Sequence, residues 1–445
     1  MRKVLLIALS FFLQISLFAQ KDTTQNQVEN IKKGFSFGGL PVVAYDEDTG
    51  IRYGGLINIY HYGDGSNYPD YNHSLYLEWS KTTKGSGTMM INYDALTLIP
   101  KTRVSLIVGY YTEQTLNFYG FNGYNTYYNS DYEINNNPDY ISRVYYRHSR
   151  NLFMTVVNFQ GNIKGEKLRW LAGFAHYRTK VATVDIEKLN EGKDTNTELP
   201  ATDLLYDKYV KWGVISDDQR TGGNVSFLKF GVVYDTRDNE ANPNKGIWSE
   251  ALILTAPGFI GNNYSYTKLL LTHRQYITLF PEKLTFAYRL SYQTKIAGEI
   301  PFYMLPYLMD SKNTSNGLGG ATNLRGILRN RIVGEGLALG NMELRSKLYR
   351  GVIYNQNVYF GINVFTDMGI VTSPYNFTMP DLTAEDITQS DIDKLNYANE
   401  GLHISCGFGL RFAINSNFII AADYGIALKK EDGTNGLYIG LNYLF

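Results

Sequence analysis

One arginine set among glycines, and two carboxylates on neighbouring runs of alternating residues, are the groups in this sequence best placed to do chemistry. The stretch GLGGATNLRGILRNR, residues 317–331, carries Gly319 and Gly320, then Leu324, Arg325, Gly326 and Ile327. Glu343 follows in GNMELRSKL and Asp367 in VYFGINVFTDMGIV, where Phe365 and Gly369 share its phase. A planar guanidinium can grip carboxylates through paired hydrogen bonds, which an ammonium cannot. Such charge-assisted bonds are shorter than neutral ones. Glycines let the backbone turn tightly and approach a wall. That chemistry is an anchor rather than a reaction. Spacing alone leaves a second reading open, in which Arg325 is one solvated loop cation beside Arg329 and Arg331.

Catalytic groups are sparse. The six histidines, His61, His73, His148, His176, His273 and His403, have no Ser, Cys or metal partner at a recognisable spacing. No G-x-S-x-G nucleophile elbow occurs. The one cysteine, Cys406, reads as a small hydrophobe whose phase points it to lipid. The expectation is no enzyme, no cofactor and no metal. A hydrolase using His403 or His176 is the catalytic alternative.

The elements that must hold these groups are strands. In GLHISCGFGLRF, Leu402, Ile404, Cys406, Phe408, Leu410 and Phe412 face one way, and His403, Ser405, Gly407, Gly409 and Arg411 the other. In KLTFAYRLSYQ, Leu284, Phe286, Tyr288, Leu290 and Tyr292 oppose Thr285, Ala287, Arg289, Ser291 and Gln293. Period two puts each set on one face of a sheet. An apolar outer face with a polar inner one is the pattern of a transmembrane barrel. In GLYIGLNYLF the same alternation places Leu437, Ile439, Leu441, Tyr443 and Phe445 together on one face.

Composition agrees with this class. The chain has 42 glycines and 37 tyrosines against 12 prolines, and its 42 Lys and Arg balance 42 Asp and Glu. No basic run calls for nucleic acid. The opening MRKVLLIALSFFLQISLFAQ has a basic start, an apolar core and a small residue, Ala19, before Gln20, which is a cleavable secretory signal. Beyond it no apolar run reaches the ~20 residues of a membrane helix. The division expected is a signal peptide at 1–19, a short periplasmic segment at 20–33 and a barrel at 34–445. The destination is an outer membrane.

Sixteen alternating segments lie near 35–46, 51–62, 73–84, 87–96, 103–113, 140–162, 167–184, 223–238, 246–258, 263–280, 282–298, 336–350, 355–371, 400–414, 417–428 and 436–445. The fold class is therefore all-β: a sixteen-stranded antiparallel barrel with both ends on one side. Connections after even segments are short, except for the longer 63–72, and those after odd segments include the long stretches 114–139, 185–222, 299–335 and 372–399. Arg325 falls in the long loop between segments eleven and twelve. Residues 383–394 carry the signal of a short capped helix. The Tyr- and Asn-rich stretch 114–139 is either a binding surface or a cover for the barrel mouth.

Taken together, Gly319-Gly320, Leu324-Arg325-Gly326-Ile327, the Glu343-Leu344-Arg345 strand and Phe365-Thr366-Asp367-Met368-Gly369 resemble the Omp85 superfamily, the outer-membrane assembly and translocation barrels of the BamA and TamA type. The resemblance implies that the loop folds into the lumen and that Arg325 meets Glu343 and Asp367 there. Ile327 departs from it, since the family usually has an aromatic at that place. Tyr234 to Gly246 resembles a periplasmic turn of the family, with little functional content expected. Gly440, Tyr443 and Phe445 resemble the C-terminal signal read by the insertion machinery. About fifteen residues between Gln20 and Phe35 leave no room for the family's POTRA modules, so the POTRA-less branch is expected.

The resemblance implies insertion or translocation of proteins or lipids through a seam between the first and last strands. Expected partners are outer-membrane lipid, client barrels or lipids, and a separate periplasmic protein or a second copy. Arg325→Ala is expected to destabilise the barrel and Arg331→Ala to leave it unchanged. The alternatives are a passive diffusion pore and a structural, self-associating barrel.

Overall fold

The computed structural model describes residues 30–46, 49–312, 314–354, 356–383, 386–415 and 417–445. The expected signal peptide, nearly all of segment 20–33 up to Glu29, and residues Glu47 and Asp48 lie outside them. Alternating apolar and polar side chains, rich in Val, Ile, Thr and aromatics, suit a pleated surface with two different faces. They form β1 (Phe35–Asp46), β2 (Gly50–His61), β3 (His73–Thr82), β4 (Gly87–Ile99), β5 (Thr102–Asn117), β6 (Arg147–Lys164), β7 (Leu168–Ala182) and β8 (Gly222–Asp235). The wall continues with β9 (Gly246–Ala256), β10 (Tyr266–Phe280), β11 (Leu284–Gly298) and β12 (Gly336–Ile353). It ends with β13 (Gln356–Ser373), β14 (His403–Ile414), β15 (Phe418–Ala427) and β16 (Asn435–Leu441). All sixteen join one antiparallel sheet in sequence order. The sheet curls until Leu40 of β1 and Leu441 of β16 pack on the same cluster of Tyr60, Tyr62 and Phe418.

The faces follow the alternation. Phe408, Leu410 and Phe412 of β14 are exposed on the outer face, while His403, Ser405 and Arg411 are buried inside. Cys406 lies with the outer set, half-buried. Leu290 and Tyr292 of β11 look out, and Arg289 and Gln293 look in.

Several boundaries differ by a few residues from the sequence expectation, and three of them have a clear cause. β6 starts at Arg147 rather than near 140, because Tyr145 and Tyr146 are drawn into a core of loop aromatics. β14 starts at His403 rather than 400, since Glu400 serves loop contacts instead. The last strand stops at Leu441. Asn442 takes a left-handed φ of 67°, which an asparagine tolerates better than most residues. The period-two register breaks there, so Tyr443 and Phe445 do not join Leu437 and Ile439 on the outer face. Tyr443 is buried inside, with the Arg345 guanidinium 4.2 Å from its ring and 4.9 Å from that of Phe445.

The lumen is also less polar than alternation predicts. Towards the long loops, the inner faces of β6 to β10 carry Leu152, Met154, Val156, Tyr177, Phe227, Leu252 and Leu270, all buried. Tyr119, Phe121, Tyr146, Tyr209, Trp212 and Phe302, from loops, pack on them in one cluster. The Tyr-rich stretch thus covers the barrel mouth. A short helix, Gln389–Leu395, adds Leu395 to that cover and is capped by the Thr388 side chain, which accepts from the Asp391 N–H. The other end is stitched by asparagines. Asn357 Nδ2 donates to Asn30 O and to Tyr68 Oη at 3.1 Å each, and Asn417 Nδ2 donates to Tyr62 Oη at 2.8 Å and to Pro69 O at 2.7 Å.

Candidate functional site

The site is built where the loop 299–335 descends into the lumen. Gly319 and Gly320 take φ of 115° and 85°, and Gly326 takes 92°; only glycine adopts such values without strain. The turn between them is closed by Gly320 N–H to Ile327 O at 2.8 Å and by Gly319 N–H to Asn323 Oδ1 at 2.7 Å. Leu324 and Ile327 bury themselves with Leu318, Ile332, Leu337 and Val371 in an apolar seat on the wall. Burying a leucine or isoleucine side chain is worth ~1.5–3 kcal/mol, so the seat alone holds the turn against β12 and β13. Ile327, 1% exposed, fills the place where an aromatic was expected. Gly369 makes the space: a Cβ there would lie 2.6 Å from Leu324 Cδ1.

Seated this way, Arg325 points into the wall and is 0% exposed. Its Nε and Nη2 donate to the two oxygens of Asp367 at 2.9 and 3.0 Å, and its own N–H donates to Asp367 Oδ2 at 3.0 Å. Nη1 lies 2.7 Å from Glu343 Oε1 and 3.4 Å from Asp423 Oδ2. Its Cζ stands 3.5 Å above the centre of the Phe365 ring. The strand register explains the convergence: Glu343 pairs with Phe365, and Asn341 with Asp367, across β12 and β13. Arg345 Nε holds the other oxygen of Glu343 at 2.7 Å, and Arg411 holds Asp423 with two bonds at 2.8 and 2.9 Å. Three arginines and three acids alternate in one buried network.

Asp423 was not singled out from the sequence. Its signal was available, a lone carboxylate at an inner-face phase of the apolar strand FIIAADYGIA. Two contacts carry no sequence signal at all. Gly326 N–H donates to Tyr438 Oη of β16 at 3.0 Å, so the loop braces the last strand. Gly425 of β15 lies flat against the main chain of Arg325 and Gly326. Gly440, by contrast, faces open space.

The turn Tyr234–Gly246 has more content than expected. Its Glu240 reaches Arg103 of β5 at 2.6 Å and Lys312 of the descending loop at 2.5 Å. Burial alone would raise the Glu240 carboxyl, but Arg103, Lys312 and Arg237 hold it well below the usual carboxylate range. A depressed carboxylate stabilises the fold above its unfolded value, and this contribution is lost only as pH falls through the lowered one. The loop is thus tied at both heights of the lumen.

Arg331 also departs from expectation. It is 2% exposed, and its guanidinium donates to Glu431 O, Gly123 O and Thr126 O at 2.7, 2.8 and 3.3 Å. The solvated reading fits only Arg329, whose side chain is 40% exposed beside Glu113. Arg331→Ala strands three carbonyls of neighbouring loops, and a buried acceptor left unmet costs ~1–3 kcal/mol. A lower urea midpoint than wild type is expected, and an unchanged midpoint would show that water replaces the guanidinium freely.

His403 is buried between acids, with Nδ1 2.5 Å from Asp432 Oδ1 and Nε2 3.2 Å from Glu400 Oε1. His176 faces outward beside Ser226 Oγ at 2.9 Å. Among the described residues no group of His, Cys, Asp and Glu is arranged to hold a metal ion.

Solved structures share this architecture. CdiB from Escherichia coli is 10% identical, with a TM-score of 0.53 over 91% of this chain and 61% of that one. BamA from Haemophilus ducreyi lacking POTRA domains 1–3 is 16% identical, with a TM-score of 0.49 over 92% of this chain and 70% of that one. The chain therefore spans less than two thirds of the CdiB structure. No curated protein matches the sequence. The family profile described as the Omp85 superfamily domain matches residues 100–445, most of the sequence. On that match, this chain belongs to the Omp85 superfamily.

Proposed function

We propose that this barrel, resident in an outer membrane, inserts or translocates client proteins or lipids through the seam between β1 and β16. The observation that carries the reading is the sheet order. Among the described residues β1 is laddered to β2 alone and β16 to β15 alone. Unpaired strand edges are templates for an added strand. Pro41 lies within β1, where a missing N–H is tolerated on an edge strand. β16 has seven residues against twelve in β1, so a full ladder between them cannot form without extension of β16. The loop brace from Gly326 to Tyr438 would steady β16 while the seam works.

An open diffusion pore fits less well, because loop aromatics pack across the mouth. A separate periplasmic protein would hand the client over, or the barrel would associate with a second copy of itself.

The test is reconstitution in liposomes with a small eight-stranded barrel synthesised in vitro as the probe client. Insertion above the level of empty liposomes is expected. Joining Leu40→Cys to Leu441→Cys with a short bis-methanethiosulfonate, which forms a disulfide with each thiol as methanesulfinate leaves, should stop insertion in a Cys406→Ser background, and reduction should restore it. Insertion that continues with the seam joined would refute this route.

A further inference from the structure

We propose that the lumen holds a binding site for a small oxyanion of the phosphate class, centred on Arg289 of β11. The site lies outside the Arg325 anchor, and its test does not require the seam to open.

The first observation is a charge without a counter-ion. Arg103, Arg150, Arg274, Arg345 and Arg411 each face a carboxylate in an ion pair. Arg289 does not, among the described residues. It is 9% exposed, its Nε donates to the neutral Asn341 Oδ1 at 2.8 Å, and its Nη2 is buried with no hydrogen-bond partner. The Phe445 ring lies 5.3 Å from its Cζ, and the carboxylates that attract it from further off, Asp367 and Asp310, are already paired with Arg325 and Arg274. Buried charges are ordinarily paired, and a guanidinium does not escape by losing its proton. Asn341 cannot supply the missing charge, since its amide is turned towards Asp367 Oδ1 and Asn323 O.

The second observation is room. Arg289 lines a lumen cavity of about 380 Å³, bounded by Trp248, Thr272, Arg274, Ser291 and Gln293 on one side and by residues 438–445 on the other. Thr272 and Ser291 present hydroxyls 2.8 Å apart. One of them donates to the other, which leaves one hydroxyl proton to serve an oxyanion beside a guanidinium fork.

The third observation is the local balance. Lys229, Lys268, Arg274 and Arg289 stand on the inner faces of β8, β10 and β11 against the carboxylates Glu250 and Asp310. Both lysines point to main-chain oxygens of the descending loop, Asp310 O at 2.8 Å and Tyr307 O at 3.5 Å. The four cations outnumber these acids, while Glu335 near Lys268 is paired to Lys295, and Asp423, which also lines the cavity, is engaged by Arg325 and Arg411. A guanidinium matches a phosphate oxygen pair in a way a lysine does not.

The experiment uses the full barrel in dodecyl maltoside, a detergent without phosphate. The heat-modifiability midpoint is followed against sodium phosphate, with sodium chloride at matched ionic strength as reference. A saturating rise with phosphate, beyond that with chloride, is expected. Arg289→Lys should weaken the apparent affinity tenfold or more while keeping the charge, Thr272→Val should weaken it less, and Arg289→Gln should abolish the rise. Phosphatidylglycerol in mixed micelles separates the sources. A rise with inorganic phosphate assigns a soluble ligand, and a rise with the lipid alone assigns a lipid headgroup; both support the site. No rise with either probe, or equal rises in wild type, Arg289→Lys and Arg289→Gln, would overturn it.

Discussion

Arg325→Ala is expected to lower the heat-modifiability midpoint of the barrel and its yield in the membrane, while Arg329→Ala leaves both near wild type. The two arginines are four positions apart in one loop, and the difference lies in what each would leave behind. Without Arg325, Glu343 keeps Arg345 and Asp423 keeps Arg411. Asp367 keeps the Asn341 amide at 2.8 Å but loses its guanidinium, and it is 0% exposed. Removing one partner of a buried ion pair costs ~3–5 kcal/mol because the other charge is stranded. Arg329 is half in solvent, and an exposed pair is worth ~0–1 kcal/mol; its partner Glu113 also retains Arg150 at 2.5 Å. Adding Asp367→Asn to Arg325→Ala should recover part of the loss, since replacing both members of a pair is far milder than removing one. Equal midpoints for the two alanine variants would remove Arg325 from the role of anchor.

The second large effect comes from a residue with no charge. Gly425→Val should unseat the loop from the wall, whereas Gly440→Val, on the neighbouring strand, should change little. A Cβ at Gly425 would lie 2.5 Å from Arg325 C and 2.6 Å from Gly326 N. Both are main chain, so no side-chain rotation relieves the clash. Overpacking of this kind costs ~1–3 kcal/mol, and displacement of the turn also pulls Arg325 from Asp367 and Gly326 from Tyr438. Gly440 has nothing within 4 Å of its added Cβ. Two readouts suffice: the melting midpoint, and protease cleavage in the segment 317–331, which should appear in Gly425→Val alone. A protected loop and an unchanged midpoint in that variant would mean that β15 yields, and that the close approach matters little.

Much of the architecture was legible before any coordinates. Period two is local, since residues i and i+2 share a face whatever lies opposite. Glu343, Phe365, Asp367 and His403 therefore turned inward as their phases require, and Leu410 and Phe412 outward. Loop length separated the two ends of the barrel for the same local reason. The glycine-flanked Arg325 was visible too, and only its resemblance to a known loop pointed it into the lumen.

What the amino-acid order determined by itself is the strand set and the facing of most side chains; the pairing of Arg325 with Glu343 and Asp367 was legible only through the resemblance to a known loop. Tertiary structure decided the rest. Asp423 joins the network because the curled sheet brings β15 beside the loop tip, and Gly425 and Tyr438 meet the loop for that reason as well. Arg331 is buried rather than solvated because two other loops close over it, and Glu240 anchors Lys312 because the loop runs the height of the lumen. Tyr443 and Phe445 leave the outer face because Asn442 ends the strand, and inside the lumen their rings meet the Arg345 guanidinium. Arg289 lacks a counter-ion only because every nearby acid is engaged elsewhere. Each of these depends on which chain segment lies across the lumen, and that distance in space has no period along the sequence.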